Sequence, residues 1–222
     1  DNVLALLLWR RGGEPAAGKD QMGEIMTQVQ IAGSGAGRGG DGADPVRISE
    51  RLAGFLSGAR WEDIPSAVRH EAKRSLMNYF ATSLGGCRDP AIETAVAVSG
   101  QFAGRAAATI IGRPERSDLL NAAFLNAISA NVFDFDDTHT RTIIHPTAPV
   151  APGLFALAER SRLSGQQLLL AFVLGVEAEC RLGNALGPGH YKRGWHITAT
   201  CGVFGAAAAA GKALGLNGER MK

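Results

Sequence analysis

Apolar residues recur every three or four positions along most of this chain, the spacing of one helical face. Ile48, Leu52, Phe55 and Leu56 form the first such face. WEDIP (61–65) follows, with Pro65 suited to a helix's first turn. Val68, Ala72, Leu76, Tyr79, Phe80 and Leu84 then repeat at helical spacing, and Gly85 and Gly86 predict an end. Asp89 before Pro90 is an N-cap with a first-turn proline, opening a helix to about Gln101. Residues 107–111 are short and end β-branched, which predicts an isolated extended segment between Gly104 and Gly112. Ser117 and Asp118 predict a cap for a helix carrying Leu119, Leu120, Ala123, Phe124, Ala127 and Ile128. Helical sequence resumes from Pro152 to Arg160. Ser164 caps a long helix from about Gln166 to Asn184. Its residues 168–176 are hydrophobic on every side, which predicts a central position. A glycine-rich loop, 187–196, precedes a small-residue helix, 198–214. Strands and helices do not alternate, so the pattern is all-α.

Residues 1–45 stand apart. The segment 31–45 holds six glycines and hardly any large apolar residue. It cannot bury enough surface to offset its ordering entropy, so 1–45 is expected to be a disordered tail and 46–222 the folded part. Met22 and Met26 are each a candidate start.

Composition narrows the classes. The 222 residues are 45% apolar and only 6% aromatic, with abundant small residues, which suits closely packed helices. A net charge of +2 and no Lys/Arg-rich run argue against a nucleic-acid partner. The longest apolar runs, 168–176 and 201–211, fall short of the roughly 20 residues a bilayer span needs, so no membrane partner is expected. Arg10 and Arg11 follow the apolar run 3–9, the reverse of a secretory signal. Cys87, Cys180 and Cys201 form no CxxC pair and read as buried free thiols in a reducing cytoplasm.

The chemistry gathers in 131–150, NVFDFDDTHTRTIIHPTAPV. DFDDT (134–138) fits the DxDxT of haloacid dehalogenase-like phosphatases, but that motif ends a buried strand and a helix precedes it here. Asp134, Asp136 and Asp137 also spell the DxDD of class II terpene cyclases, against which the low aromatic content argues. A third reading makes Asp136, Asp137, His139 and His145 ligands of a divalent metal. A plainer one makes the loop a helix cap, with Asp137 or Thr138 in that role. His145 before Pro146, at a predicted helix entrance, is placed to move protons near neutral pH. His196 is the second candidate. Lys192 and Arg193 precede it and are candidates for binding substrate carboxylates, against the alternative of a solvated pair. His190 is less constrained, and His70 reads as surface. Cys201, one turn after His196, lacks an orienting third group for nucleophilic work.

The stretch 134–159, DFDDTHTRTIIHPTAPVAPGLFALAE, resembles the signature of the MmgE/PrpD family. That family includes 2-methylcitrate dehydratases, cis-aconitate decarboxylases and iminodisuccinate epimerases. The likeness extends over 52–86, 117–137 and GWHITATCGVFGAAAAAGKALGL (194–216), and so from about Ile48 to the end. It implies a large all-helical domain with a smaller α/β lid. It also implies homodimers, and catalysis without metal or organic cofactor. The family's chemistry is proton transfer beside a carboxylate of a small polycarboxylate, giving dehydration, decarboxylation or epimerisation. The family's site positions fall on Asp134, Thr138, His145 and His196, with either His145 or His196 as base or acid, Thr138 as a hydrogen-bond donor, and Asp134 orienting a histidine or pairing a cation. Asn78 stands where the family usually has Asp, and reads as a packing detail. Family members are considerably longer, so the lid is expected to lie outside this chain. The functions left open are a cofactor-independent lyase or isomerase, a metal-dependent hydrolase, and a non-catalytic dimerisation or binding half.

Overall fold

A computed structural model describes residues 45–222, with side chains from residue 49 onward. The expected tail, but for the backbone of Pro45, lies outside the described residues, and the apolar position Ile48 lies outside the described side chains. Helix α1 spans Pro45–Gly58. A 3₁₀ turn at Trp61–Asp63 leads to α2, Ser66–Gly86, and α3, Pro90–Gly100. Pro65 is therefore the residue before α2 rather than part of its first turn. Two short strands follow, β1 Ala108–Thr109 and β2 Arg116–Ser117. Then come α4 Leu119–Asn131, α5 Thr147–Ser161, α6 Gly165–Leu186, α7 Pro188–Lys192 and α8 Ile197–Ala213. The described residues are an all-helical assembly with one strand pair, as the periodicity predicts.

Capping explains most of the helix starts. The Asp89 carboxylate accepts from the Ala91 N–H, and Asp118 accepts from the N–H groups of Leu120 and Asn121. Ser164 and Gln167 form a reciprocal capping box at α6. Helix α5 begins five residues before the expected Pro152. The first turn's N–H groups have no intrahelical partner, so Pro149 fits there without losing a bond. Pro152 sits inside the helix at the cost of one. The expected loop 187–196 contains α7.

The segment at 107–111 is not isolated. Ala108 pairs with Ser117 and Thr109 with Arg116, antiparallel. Asn126 of α4 acts as a further rung, accepting the Ile111 N–H at 2.8 Å and donating to the Thr109 carbonyl at 2.9 Å. Glu159 of α5 accepts the Thr109 N–H at 2.7 Å. A two-residue strand needs such outside partners to satisfy its backbone.

Helix α6 is the centre, with residues 169–180 buried without a break. It packs on α8 through glycines. A Cβ at Gly175 would stand 2.7 Å from the Gly205 carbonyl and 2.9 Å from Val150 Cγ1, so α5, α6 and α8 meet at nearly backbone distance. Gly86 serves the same purpose between α2 and α4, where a Cβ would lie 2.1 Å from the Ser129 carbonyl. Close approach, rather than a left-handed cap, accounts for that glycine. Lys212 of α8 donates to the Ser57 and Ala59 carbonyls at 2.8 and 2.6 Å, closing the C-terminal end of α1. All three cysteines are free and buried.

Candidate functional site

The acidic loop is positioned by the end of α4. Asp134 adopts a left-handed φ of 51°, and its N–H donates to the Asn131 carbonyl at 2.8 Å. That turn leaves Asp134 exposed and sends the next two aspartates inward. The Asn131 amide donates to both oxygens of Asp136, at 3.1 and 3.3 Å. Asp137 accepts the Thr147 N–H at 3.2 Å and the Thr147 hydroxyl at 2.6 Å. The loop is thus fastened to the start of α5, where free N–H groups favour a carboxylate. Burial nonetheless pushes the Asp137 carboxyl above its ordinary value.

Residues 139–144 fold back on themselves. The His139 N–H donates to the Ile144 carbonyl at 2.7 Å, and both side chains are fully buried. His139 Nδ1 lies 2.6 Å from Thr142 Oγ1, while its Nε2 has no partner. Burial, helped by the charge of Arg141, lowers this ring to about 4, so it is neutral at neutral pH. Gly183 of α6 makes room for the fold-back, since a Cβ there would sit 2.4 Å from Ile144 Cδ1.

His145 emerges from this platform with a side chain only 17% exposed. Its backbone N–H donates to Thr198 Oγ1, in the first turn of α8, at 3.1 Å. Its ring lies between two carboxylates, with Nδ1 3.1 Å from Asp136 Oδ1 and Nε2 3.5 Å from Asp134 Oδ1. His196 caps α8, its Nδ1 accepting the Ala199 N–H at 3.3 Å, and is exposed. Asp134, Asp136 and His145 therefore converge, and Thr198 ties His145 to the turn that starts at His196. Thr138 is half-buried beside them, its hydroxyl 3.4 Å from the Asp136 carbonyl. Lys192 and Arg193 are exposed at the end of α7. His190 is more constrained than expected: its Nε2 lies 3.0 Å from Thr200 Oγ1 and its ring stacks on Trp195.

One atom each from Asp134, Asp136 and His145 lie within 4.8 Å of one another, a group able to accept a divalent cation. The four-ligand set anticipated from sequence does not form. Asp137 is committed to Thr147, and His139 is turned into the interior. Cys201 is pushed up to about 11, chiefly by burial, and stays a thiol at neutral pH, which removes it as a nucleophile beside His196. The phosphatase reading also fails in three dimensions, because α4 and not a strand leads into DFDDT.

Several participants were not evident from sequence. Asp136, anticipated only as a metal ligand, lies against His145 just after the left-handed turn at Asp134. Asn78, expected to be a packing detail, donates to the Phe135 carbonyl at 3.4 Å and so touches the acidic loop. Glu179 is fully buried in α6 with neither carboxyl oxygen hydrogen-bonded, set against Gly202 and Gly205 of α8. Its place in an apolar run was the one available signal.

The chain is 30% identical over 181 residues to cis-aconitate decarboxylase of Aspergillus terreus, an alignment covering 79% of this chain and 37% of that protein. It is 32% identical over 182 residues to cis-aconitate decarboxylase of Homo sapiens, covering 79% and 37%. It is 31% identical over 185 residues to the cis-aconitate decarboxylase-like protein oryM of Aspergillus oryzae, covering 80% and 38%. The chain thus spans a little over a third of the length of these relatives. Residues 50–222 match the MmgE/PrpD N-terminal domain, and the chain belongs to the MmgE/PrpD family.

Proposed function

We propose that this chain forms the helical wall of a cofactor-independent lyase. It would act on a small polycarboxylate in the manner of a cis-aconitate decarboxylase or a 2-methylcitrate dehydratase. The observation that carries the reading is the setting of His145. Its ring lies between two carboxylates, and its backbone is tied to the helix start that His196 caps. In decarboxylation the bond to a carboxylate breaks, carbon dioxide leaves, and the electron pair on carbon takes a proton. In dehydration a proton leaves carbon as hydroxide leaves its neighbour. Either needs one positioned group to move a proton and cations to hold the remaining carboxylates. His145 and His196 take the proton roles, and Lys192 and Arg193 hold substrate carboxylates. Asp134 stands against a ring nitrogen of His145, which suits the role of orienting a histidine.

The test offers cis-aconitate and 2-methylcitrate to the protein and follows carbon dioxide and new products by proton NMR. Turnover should survive exhaustive EDTA and fall by about 100-fold or more in His145→Ala. The same substrates should shift the ring signals of His145 and His196 but not those of His70. Absence of both turnover and ring shifts overturns the reading. The convergence of Asp134, Asp136 and His145 favours a second reading, a metal-dependent hydrolase. Turnover lost to EDTA and restored by a divalent ion would select it.

A further inference from the structure

We propose that Asp136, held by Asn131, is the positioning residue that fixes the tautomer of His145. The inference rests on His145 being the proton-moving group. Asp136 has a side chain only 2% exposed, and among the described residues the donor aimed at it is the neutral Asn131 amide. A buried carboxylate so sparsely partnered is costly unless a further donor reaches it. The group in reach is His145 Nδ1, at 3.1 Å. That nitrogen is itself sealed from solvent and has no aligned hydrogen-bond partner. The approach has the distance of an ion pair without the alignment of a hydrogen bond. A buried acceptor and a buried ring nitrogen face each other, and each satisfies the other only if Nδ1 carries the proton.

The consequence falls on the other ring nitrogen. With the proton on Nδ1, the neutral ring presents the Nε2 lone pair on the side of exposed Asp134. That is the form able to take a proton from a substrate. Without Asp136 the ring is free to revert to the Nε2–H form that unconstrained histidine favours, with its basic nitrogen turned inward. Asn131 supports the arrangement at one remove. As the last residue of α4 it holds Asp136 through its amide, and its carbonyl takes the Asp134 N–H that turns the chain back.

The tautomer is read directly from long-range ¹H–¹⁵N correlations on uniformly ¹⁵N-labelled protein at pH 8, above the ordinary histidine range. His145→Gln assigns the signal. The wild-type protein should show His145 chiefly as Nδ1–H. Asp136→Ala should shift it toward Nε2–H, and Asn131→Ala should do so to a lesser degree. A wild-type His145 that is already Nε2–H overturns the proposal even if no variant folds. So does a tautomer that Asp136→Ala leaves unchanged. Where turnover is measurable, Asp136→Ala should lower kcat by about 10- to 100-fold with KM changed less than about twofold. Failure of the lyase reading would remove turnover but leave the tautomer shift in place, so the two can fail separately.

Discussion

Glu179 and His139 are both fully buried and incompletely hydrogen-bonded, and they place opposite pH dependences on stability. Burial, with Asp137 as a second cause, raises Glu179 well above its ordinary 4.5. The folded state therefore holds the proton more tightly than the unfolded chain. The term is fully present below pH 4.5 and is lost as pH rises toward and through the folded value. Glu179→Gln should accordingly gain on the wild type as pH rises from 5 to 8, measured as urea midpoints. A difference that does not vary with pH would refute this. His139 runs the other way. Its folded value of about 4 lies below the unfolded 6.5, so its contribution is present above 6.5 and lost as pH falls toward 4. The difference amounts to about 3 kcal/mol. His139→Gln should flatten the acid limb between pH 6.5 and 4, and an acid limb unchanged in that variant would show that another group governs it.

At the scale of elements, periodicity and caps carried the sequence reading far. Asp89, Asp118 and Ser164 open their helices where local chemistry places them. What stayed hidden depends on contacts between elements. Gly86 looks like a helix stop, but its role is set by α4 passing 2.1 Å from where a Cβ would stand. Residues 107–111 read as isolated because their partners include Asn126 and Glu159, which are distant in sequence. In the candidate site, Asp134, Thr138, His145 and His196 could be picked out by pattern. Thr198 could not, and Asp136 stood out only as a metal ligand rather than as the neighbour of His145, since their geometry depends on a left-handed turn and on the docking of α8. The same logic separates two helix glycines. Gly153 in α5 has nothing within 4 Å of a new Cβ, so Gly153→Ala should raise stability by about 0.5–1 kcal/mol. Gly175→Ala would drive a methyl to 2.7 Å from the Gly205 carbonyl and 2.8 Å from Ala209 Cβ. Neither can move aside cheaply, and the variant should lose about 1–3 kcal/mol. Equal effects in thermal unfolding would mean that α6 and α8 are not in backbone contact.

For the molecule as a whole, the revealing feature is the apolar surface beside the acidic loop. Met77 and Leu84, seven residues apart on α2, are 71% and 55% exposed, and Phe133 and Phe135 are 59% and 80% exposed. The acidic loop lies against this half of α2. Phe133 lies about 4.0 Å from a Cβ position at Gly85, and the Phe135 carbonyl takes the Asn78 amide. On the predicted face of α2, Tyr79 is buried while Leu84 is exposed, and Met77, off that face, is exposed as well. An apolar patch of this kind, next to a candidate site, is a surface that water disfavours and a partner would bury. A second copy of the chain is the occupant we expect, because a symmetric partner needs no further component and could present the same patch in return. Sedimentation equilibrium should then give about twice the 23.2 kDa chain mass. Met77→Lys combined with Phe135→Ser should return it to the single-chain value without changing the helical circular dichroism. A wild-type chain that sediments as a monomer would exclude self-association, as would a dimer indifferent to both substitutions. Because Phe135 lies between Asp134 and Asp136, loosening this contact should also disturb the His145 ring. Monomerisation and a shifted His145 tautomer should therefore appear together, which would tie the assembly of the protein to the geometry of its site.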